Sequence, residues 1–249
     1  MLTRVLPALE VLPRMTDEEQ SWVIAQQFGI CAGWRLNFAV NQAGEAFGQD
    51  GTSGGVSNGL DRLVMGKLRS QSDLIVTSGA TARAERYKSS KHARIAIITR
   101  TGDLDSVPAV QGSQFFTPLI ITNAENFDSV EKALNDVDVE VVSYGEATSM
   151  LDPLKIVELV AGSGYQSPIL ESGASLSREF IHAGVVKEVC LTISKTAKEA
   201  FSARSVSPSM LRALFGSDAN FGLVDMLVTN ENIFTRWIRV PSTEENSGR

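Results

Sequence analysis

Histidine and cysteine are scarce in this chain, with two of each in 249 residues. The histidines are His92 and His182, and neither a C-x-x-C nor an H-E-x-x-H pattern occurs. The usual zinc ligand sets therefore have nothing to draw on, and no metal site is expected. A Ser-His-Asp triad would have to recruit one of those two histidines, and no G-x-S-x-G elbow presents a nucleophile. His182 falls late in a segment of helical spacing and reads as a solvated position. Cys31 and Cys190 stand far apart, Cys190 inside an apolar run, and read as buried thiols of a reducing compartment. There is no run of roughly 18 apolar residues to span a membrane. Met1 to Arg14 also lacks the compact apolar stretch and cleavage site of a signal peptide, so a cytoplasmic protein is expected.

What is present is ordinary globular material: 43% hydrophobic and 21% charged residues, enough for a sizeable core. The net charge of −6 argues against nucleic acid or an anionic membrane as partner, while leaving room for a local basic pocket.

Along the chain, Thr16-Asp17-Glu18-Glu19 matches a capping box and predicts a leading helix of about three turns. Trp34 to Asn41 alternates at period two and predicts a strand, followed by the glycine-rich stretch Gly44 to Gly59. Leu60, Leu63, Val64 and Leu68 recur at helical spacing, so residues 58–71 read as an amphipathic helix. Short apolar strands are predicted at Asp73 to Thr77, Arg94 to Thr99 and Pro118 to Thr122. A helix near Asp128 to Leu134 and a β-rich Val137 to Ser143 follow. Asp152-Pro153 supplies an N-cap and an N1 proline for a helix to about Ala161. Pro168 to Leu170 leads through a turn into a helix ending near His182, and strands are predicted at Glu188 to Ser194, Leu223 to Thr229 and Ile233 to Val240. Strand–helix alternation in the middle and consecutive strands at the end predict a mixed, mostly parallel sheet with antiparallel C-terminal strands. Residues 1–33 are taken as an N-terminal helical extension, 34–240 as one α/β domain and 241–249 as a disordered tail.

Two strand ends share one form. Asp73-Leu-Ile-Val-Thr-Ser-Gly79-Ala80-Thr81 and Pro168-Ile-Leu-Glu171-Ser-Gly173-Ala174-Ser175-Leu176 each run into small and hydroxyl residues and then a helical segment. Small residues let a ligand approach the backbone, and the free N–H groups of a helix start favour phosphate. Thr99-Arg100 closes another strand, where an arginine fork suits a ribose 2′-phosphate, although taken by itself Arg100 reads as a solvated loop arginine. Gly162-Ser-Gly164 follows a helix and reads as its C-cap; no G-x-G-x-x-G occurs, which weighs against a standard Rossmann dehydrogenase.

Leu36-Asn-Phe-Ala39-Val-Asn41, Gly54-Gly-Val-Ser57, Asp61-Arg62, Leu68-Arg69, Asp73-Leu-Ile-Val and Gly79-Ala80-Thr81-Ala-Arg-Ala-Glu85, in that order, resemble the reductase domain of bacterial riboflavin biosynthesis. Ile97-Ile-Thr99-Arg100 and Leu170-Glu-Ser-Gly173-Ala-Ser-Leu176, leading to Ala183-Gly184 and Glu188 to Ser194, extend the resemblance over residues 34–195. It implies a dihydrofolate-reductase-like three-layer α/β sandwich, a stand-alone homodimer, and NADPH-dependent reduction of the ribosyl group of a phosphorylated ribosylaminopyrimidine to ribityl. By the same resemblance Gly79, Ala80 and Thr81 form one cofactor turn, and Gly173, Ala174, Ser175 and Leu176 the pyrophosphate turn. Thr99 and Arg100 meet the adenosine phosphate, and Ala39 lies near the nicotinamide. Asn41, Ser57, Arg62 and Arg69 handle the sugar phosphate, although Arg69 alone would read as a helix-end arginine favoured by the dipole.

The chain departs from the family pattern where Ser-x-Asp-Gly is usual, carrying Asn41-Gln42-Ala43-Gly44 instead; Ser172 and the segment Lys195 to Ser217 also differ. Two alternatives stay open. One is a dihydrofolate or pterin reductase, which requires a buried pocket carboxylate; Ala43 weighs against it unless Asp50 or Asp61 substitutes. The other is a non-catalytic homologue that binds nucleotide.

Overall fold

Strands that are continuously apolar must be covered on both faces, and here they are. The computed structural model describes residues 1–46, 52–112, 114–145, 151–194 and 206–241. Residues 47–51 of the glycine-rich stretch (Asp50 among them), 195–205 of the departing segment and 242–249 of the tail lie outside the described residues. Eleven strands among the described residues form one sheet. In chain order they are β1 (Thr3–Leu6), β2 (Glu10–Val11), β3 (Trp34–Asn41), β4 (Leu74–Ser78), β5 (Arg94–Ile98), β6 (Leu119–Asn123), β7 (Glu140–Tyr144), β8 (Pro168–Leu170), β9 (Val186–Ser194), β10 (Phe221–Val228) and β11 (Asn232–Arg239). Their spatial order is β2-β1-β10-β11-β9-β3-β8-β4-β5-β6-β7. From β9 to β7 all neighbours are parallel, and from β9 through β11, β10 and β1 to β2 all are antiparallel. This is the mixed, mostly parallel sheet that the alternation predicted.

Helices fill both outer layers. On one face lie α1 (Asp17–Phe28), α2 (Gly59–Ser70), the short α3 (Gly79–Ala84) and α4 (Pro108–Gln111), and α5 (Phe127–Ala133). On the other lie α6 (Pro153–Gly162), α7 (Ala174–His182) and α8 (Pro208–Phe215). Along β3 the alternation sends Leu36, Phe38 and Val40 into the core beneath α7 and α8. Arg35, Asn37 and Ala39 consequently face the side of α1 and α2. The capping box at Thr16 and Glu19 forms as read, with both reciprocal hydrogen bonds present. Gly164, at φ +91°, ends α6 in the left-handed region, which is the C-cap role read for it.

Strands β1 and β2 and helix α8 differ from expectation. Residues 3–11, read as part of a helical extension, add two strands, because β1 pairs antiparallel with β10 and β2 with β1. Helix α8 lies in the segment that was read only as a departure, although Ser207-Pro208 carries an N1 proline. Among the described residues no helix is long and apolar enough to cross a membrane.

A buried ionic ladder crosses β3, β9, β11 and β10 under α1. Arg35 Nε donates to Glu188 Oε1 at 2.7 Å, Arg236 Nε to Glu188 Oε2 at 2.8 Å, and Arg236 Nη1 to Asp225 Oδ2 at 2.8 Å. Gln27 of α1 closes it with a 2.6 Å bond to Asp225 Oδ1, and Arg35 Nη2 reaches the Gly29 carbonyl at 2.5 Å. Cys190 is buried beside it and Cys31 is half-buried; burial pushes the Cys31 thiol up to about 11, with Glu188 adding to the shift.

Candidate active site

The parallel strands β3, β4 and β8 all end on one side of the molecule, where ligands of open α/β sheets bind. Ser78 caps α3 by accepting the Thr81 N–H at 3.1 Å, and its own hydroxyl donates to Thr81 Oγ1 at 2.9 Å. The same Thr81 oxygen accepts the Gly173 N–H at 3.1 Å. One hydroxyl thus ties together the two turns that the sequence singled out. Gly79 fits closely there: a Cβ would stand 3.2 Å from Thr99 Oγ1 and 3.3 Å from Thr99 Cβ, so Thr99 would have to give way by a few tenths of an ångström. Gly173 is the N-cap of α7 and brings no side-chain hydrogen bond to it. The first N–H groups of that helix, at Ala174, Ser175 and Leu176, are left for a ligand, in the manner of an anion-binding helix start.

Beside the junction is a cavity of about 440 Å³. Asn37, Phe38 and Ala39 of β3 form its floor, and Ser57 with Asp61, Arg62, Met65 and Arg69 of α2 forms one wall. Thr81, Glu85, Arg86, Tyr87 and Lys88 form the opposite wall, and Glu171, Ser172 and Gly173 the end next to α7. Of the residues expected at the cofactor and substrate, Ala39, Thr81, Gly173, Ser57, Arg62 and Arg69 therefore share one cavity. Gly79 and Ala80 sit at the end of β4, Thr99 and Arg100 at the end of β5, and Ala174, Ser175 and Leu176 open α7; none of these lines the cavity. Thr99 is buried and spends its hydroxyl on the N–H groups of Thr101 and Gly102, whereas Arg100 is exposed. Asn41 lies outside the lining as well. Its amide closes the turn after β3, accepting from Ala43 and Glu45 N–H and donating to Glu45 Oε2 at 2.7 Å.

Arg69 is not a free cation. Its Nε donates to Glu171 Oε1 and Oε2 at 2.9 and 3.2 Å and its Nη2 to Oε2 at 2.6 Å, and Tyr87 Oη adds a 2.8 Å bond to the same carboxylate. Burial opposes the Arg69 charge, but Glu171 and these bonds hold its pKa above the ordinary value. Burial first, and then the Glu171 charge, drive Tyr87 well above an ordinary phenol.

A second carboxylate behaves differently. Asp61 is buried, accepts from Ser57 Oγ at 2.6 Å, and its pKa is raised, burial being the largest cause and Glu171 a lesser one. Hydrogen bonds from Ser57 and Thr192 and the charge of Arg62 pull the other way without cancelling the rise. Two of the cavity's carboxyl groups thus differ, Glu171 clamped to a guanidinium and Asp61 biased toward its acid form, an arrangement suited to acid–base work. In the sequence Asp61 stood only beside Asp50 as a substitute carboxylate for the pterin alternative; its burial and its bond to Ser57 come from the fold. The Tyr87 contact had no sequence signal, because it depends on the chain folding back after α3.

Sheet order, the paired turns and the cavity beside them define a mixed α/β protein with its candidate site at the ends of the parallel strands. The chain belongs to the family described as the RibD C-terminal domain, whose model matches residues 35–196. It is 24% identical over 160 residues to the riboflavin biosynthesis protein PYRR, chloroplastic, of Arabidopsis thaliana, covering 62% of this chain. It spans only 26% of that relative's length. A pyrimidine reductase-like protein from Corynebacterium diphtheriae shares the fold at a TM-score of 0.62 and 21% identity, over 92% of this chain and 100% of the other. RibD from Acinetobacter baumannii shares it at 0.60 and 18% identity, over 90% of this chain and 62% of that one.

Proposed function

We propose that this protein is an NADPH-dependent reductase of a phosphorylated ribosylaminopyrimidine, converting its ribosyl group to ribityl. The observation that carries the reading is the junction at Thr81, which sets the open start of α7 at one end of a cavity that also presents Asp61, Arg62 and Arg69. In this reading the N–H groups of Ala174, Ser175 and Leu176 hold the pyrophosphate, and Gly79 and Ala80 let the cofactor approach the end of β4. Arg100, exposed beyond β5, meets the adenosine phosphate. Ala39 has a side chain small enough to admit a nicotinamide ring against β3. NADPH, when bound, supplies the hydride, and the orientation and the proton fall to the protein. Ring opening of the ribosylamine leaves a C=N bond, which gains the hydride at carbon and a proton at nitrogen. Asp61 is the group in the cavity biased to hold that proton. Glu171, fixed by Arg69 and Tyr87, presents an acceptor for sugar hydroxyls.

Asp61 also favours a second reading, reduction of a dihydropterin, in which the same carboxyl meets the pterin ring. Titration with NADPH and NADH, followed by quenching of protein fluorescence, tests the cofactor assignment; micromolar binding that prefers NADPH is expected. Turnover is then compared between the phosphorylated pyrimidine and dihydrofolate. Consumption of dihydrofolate alone decides for the second reading, and binding of neither nucleotide overturns both.

A further inference from the structure

Resting on the reading of Asp61 as the group that holds the proton, we infer that Asn232, which does not line the cavity, is a positioning residue that sets Asp61 through Asn58. Asn232 opens β11 and is fully buried. Its side-chain amide pairs reciprocally with that of Asn58, 174 positions away in the sequence. Asn58 Nδ2 donates to Asn232 Oδ1, and Asn232 Nδ2 to Asn58 Oδ1, each at 2.8 Å. Asn58 is the N-cap of α2, and the same Oδ1 accepts the Asp61 N–H at 3.0 Å. One oxygen therefore carries both the helix cap and the tie to β11. Capping alone would be met by a serine or an aspartate. What asparagine adds is a second polar group that donates to β11, so that Asp61 takes its place from the sheet as well as from its own helix.

The bonds around this pair act in the same sense. Val56, Ser57 and Asn58 form a short strap between the turn Ser53–Gly55 and α2, and Ser57 lines the cavity. Ser194 of β9 donates to the Val56 carbonyl, Ser57 to Asp61 Oδ2 at 2.6 Å, and Asn58 also to Glu231 Oε2 at 3.1 Å. At the far end of the turn the Ser53 N–H donates to Glu85 Oε1 at 2.6 Å. Thr192 of β9 hydrogen-bonds the Asp61 carboxyl as well. Strands β9 and β11 are paired with Asn232 opposite Ser194. The two strands thus hold Asp61 at both of its ends, the carboxyl through Thr192 and the backbone through Asn232 and Asn58. Asn232 is itself fixed, its N–H donating to Thr229 Oγ1 at 2.9 Å and its carbonyl accepting the Thr229 N–H at 2.8 Å. Paired amides in a buried setting specify one geometry, where an apolar contact would tolerate several.

Proton transfer is sensitive to such placement, since a displacement of about 1 Å costs about 10²-fold in rate. The groups that face the Asp61 carboxyl are Ser57, Arg62 on the same helix, Glu171 at the end of β8, and Thr192. Asn232 is not among them, so its effect on Asp61 is indirect.

The test uses a single and a paired variant. Asn232→Ala cuts the tie. Asn58→Ser/Asn232→Val cuts it while keeping a capping hydroxyl and leaving no buried amide without its partner, which protects the fold. In both, kcat on the phosphorylated pyrimidine should fall by about 10- to 100-fold, with KM and NADPH affinity little changed. The Asp61 titration, followed by carboxyl carbon NMR, should move from its raised midpoint toward that of an ordinary aspartate as water reaches the loosened strap. In an Asp61→Asn background, Asn232→Ala should cost nothing further, because residues that act as a unit are not additive. A paired variant that keeps the wild-type kcat or the wild-type Asp61 midpoint overturns the role of Asn232 and leaves Asp61 as the proton donor. An Asn232→Ala loss that multiplies in full with that of Asp61→Asn does the same. Wild-type turnover in Asp61→Asn overturns the proton reading, and the positioning role falls with it.

Discussion

At the scale of single residues, the cavity separates Asp61 from Glu171 by what surrounds each of them. Asp61 has a folded-state pKa above its unfolded value. The folded protein therefore holds that proton more tightly than the unfolded chain does. As pH rises through the interval between the ordinary aspartate pKa and the raised one, stability falls, and above it a desolvated charge remains as a penalty. Asp61→Asn removes the penalty. It should raise the melting temperature at neutral pH, with the difference from wild type closing as pH is lowered toward the ordinary aspartate range. Thermal unfolding followed across pH checks this. The same variant should lose turnover by about 10²- to 10⁴-fold if Asp61 supplies the proton. Higher stability with unchanged turnover would leave Asp61 as a strained but idle group. Arg69 shows the limit of reading residues singly: its charge was visible in the sequence, but its commitment to Glu171, 102 positions away, was not.

At the scale of elements, legibility follows the origin of the order. Strand β3 and helix α2 were read nearly to the residue, because alternation and an amphipathic face are written locally. The two turns were read for the same reason, since small residues at strand ends are a local requirement. Strands β1 and β2 were not, because β2 is two exposed residues whose order comes from pairing alone. What no local pattern contains is the joint between the turns, carried by the Thr81 hydroxyl. Thr81→Val deletes its bonds to Gly173 and Ser78 while keeping the branched shape. Loss of one such bond should cost about 1 kcal/mol of stability. NADPH binding should weaken as well, because the start of α7 loses its tether, and Thr81→Ser should restore both. Urea unfolding and NADPH titration of the pair measure this. Loss of stability with NADPH affinity intact would mean that the joint serves only the fold.

At the scale of the whole molecule, the sheet has a parallel half that carries the site and an antiparallel half with none of the expected cofactor residues. The Arg35–Glu188–Arg236–Asp225 ladder spans the boundary, running from β3, the floor of the cavity, outward to β10. Glu188 is its hinge point, buried and bonded to both arginines. The ladder follows the register of the strands, with Arg35 opposite Glu188 and Arg236 opposite Cys190. Glu188→Ala leaves the 1%-exposed Arg35 without its carboxylate. Breaking a buried pair in this way should cost about 3–5 kcal/mol. Against a typical net stability of about 5–15 kcal/mol, that is a large share. The urea midpoint should drop accordingly, while the fraction still folded should bind NADPH with wild-type affinity, because no ladder residue lines the cavity. If Glu188→Ala instead lowered NADPH affinity with little change in midpoint, the ladder would be transmitting the position of β3 to the site, and the two halves of the sheet would have to be treated as one functional unit.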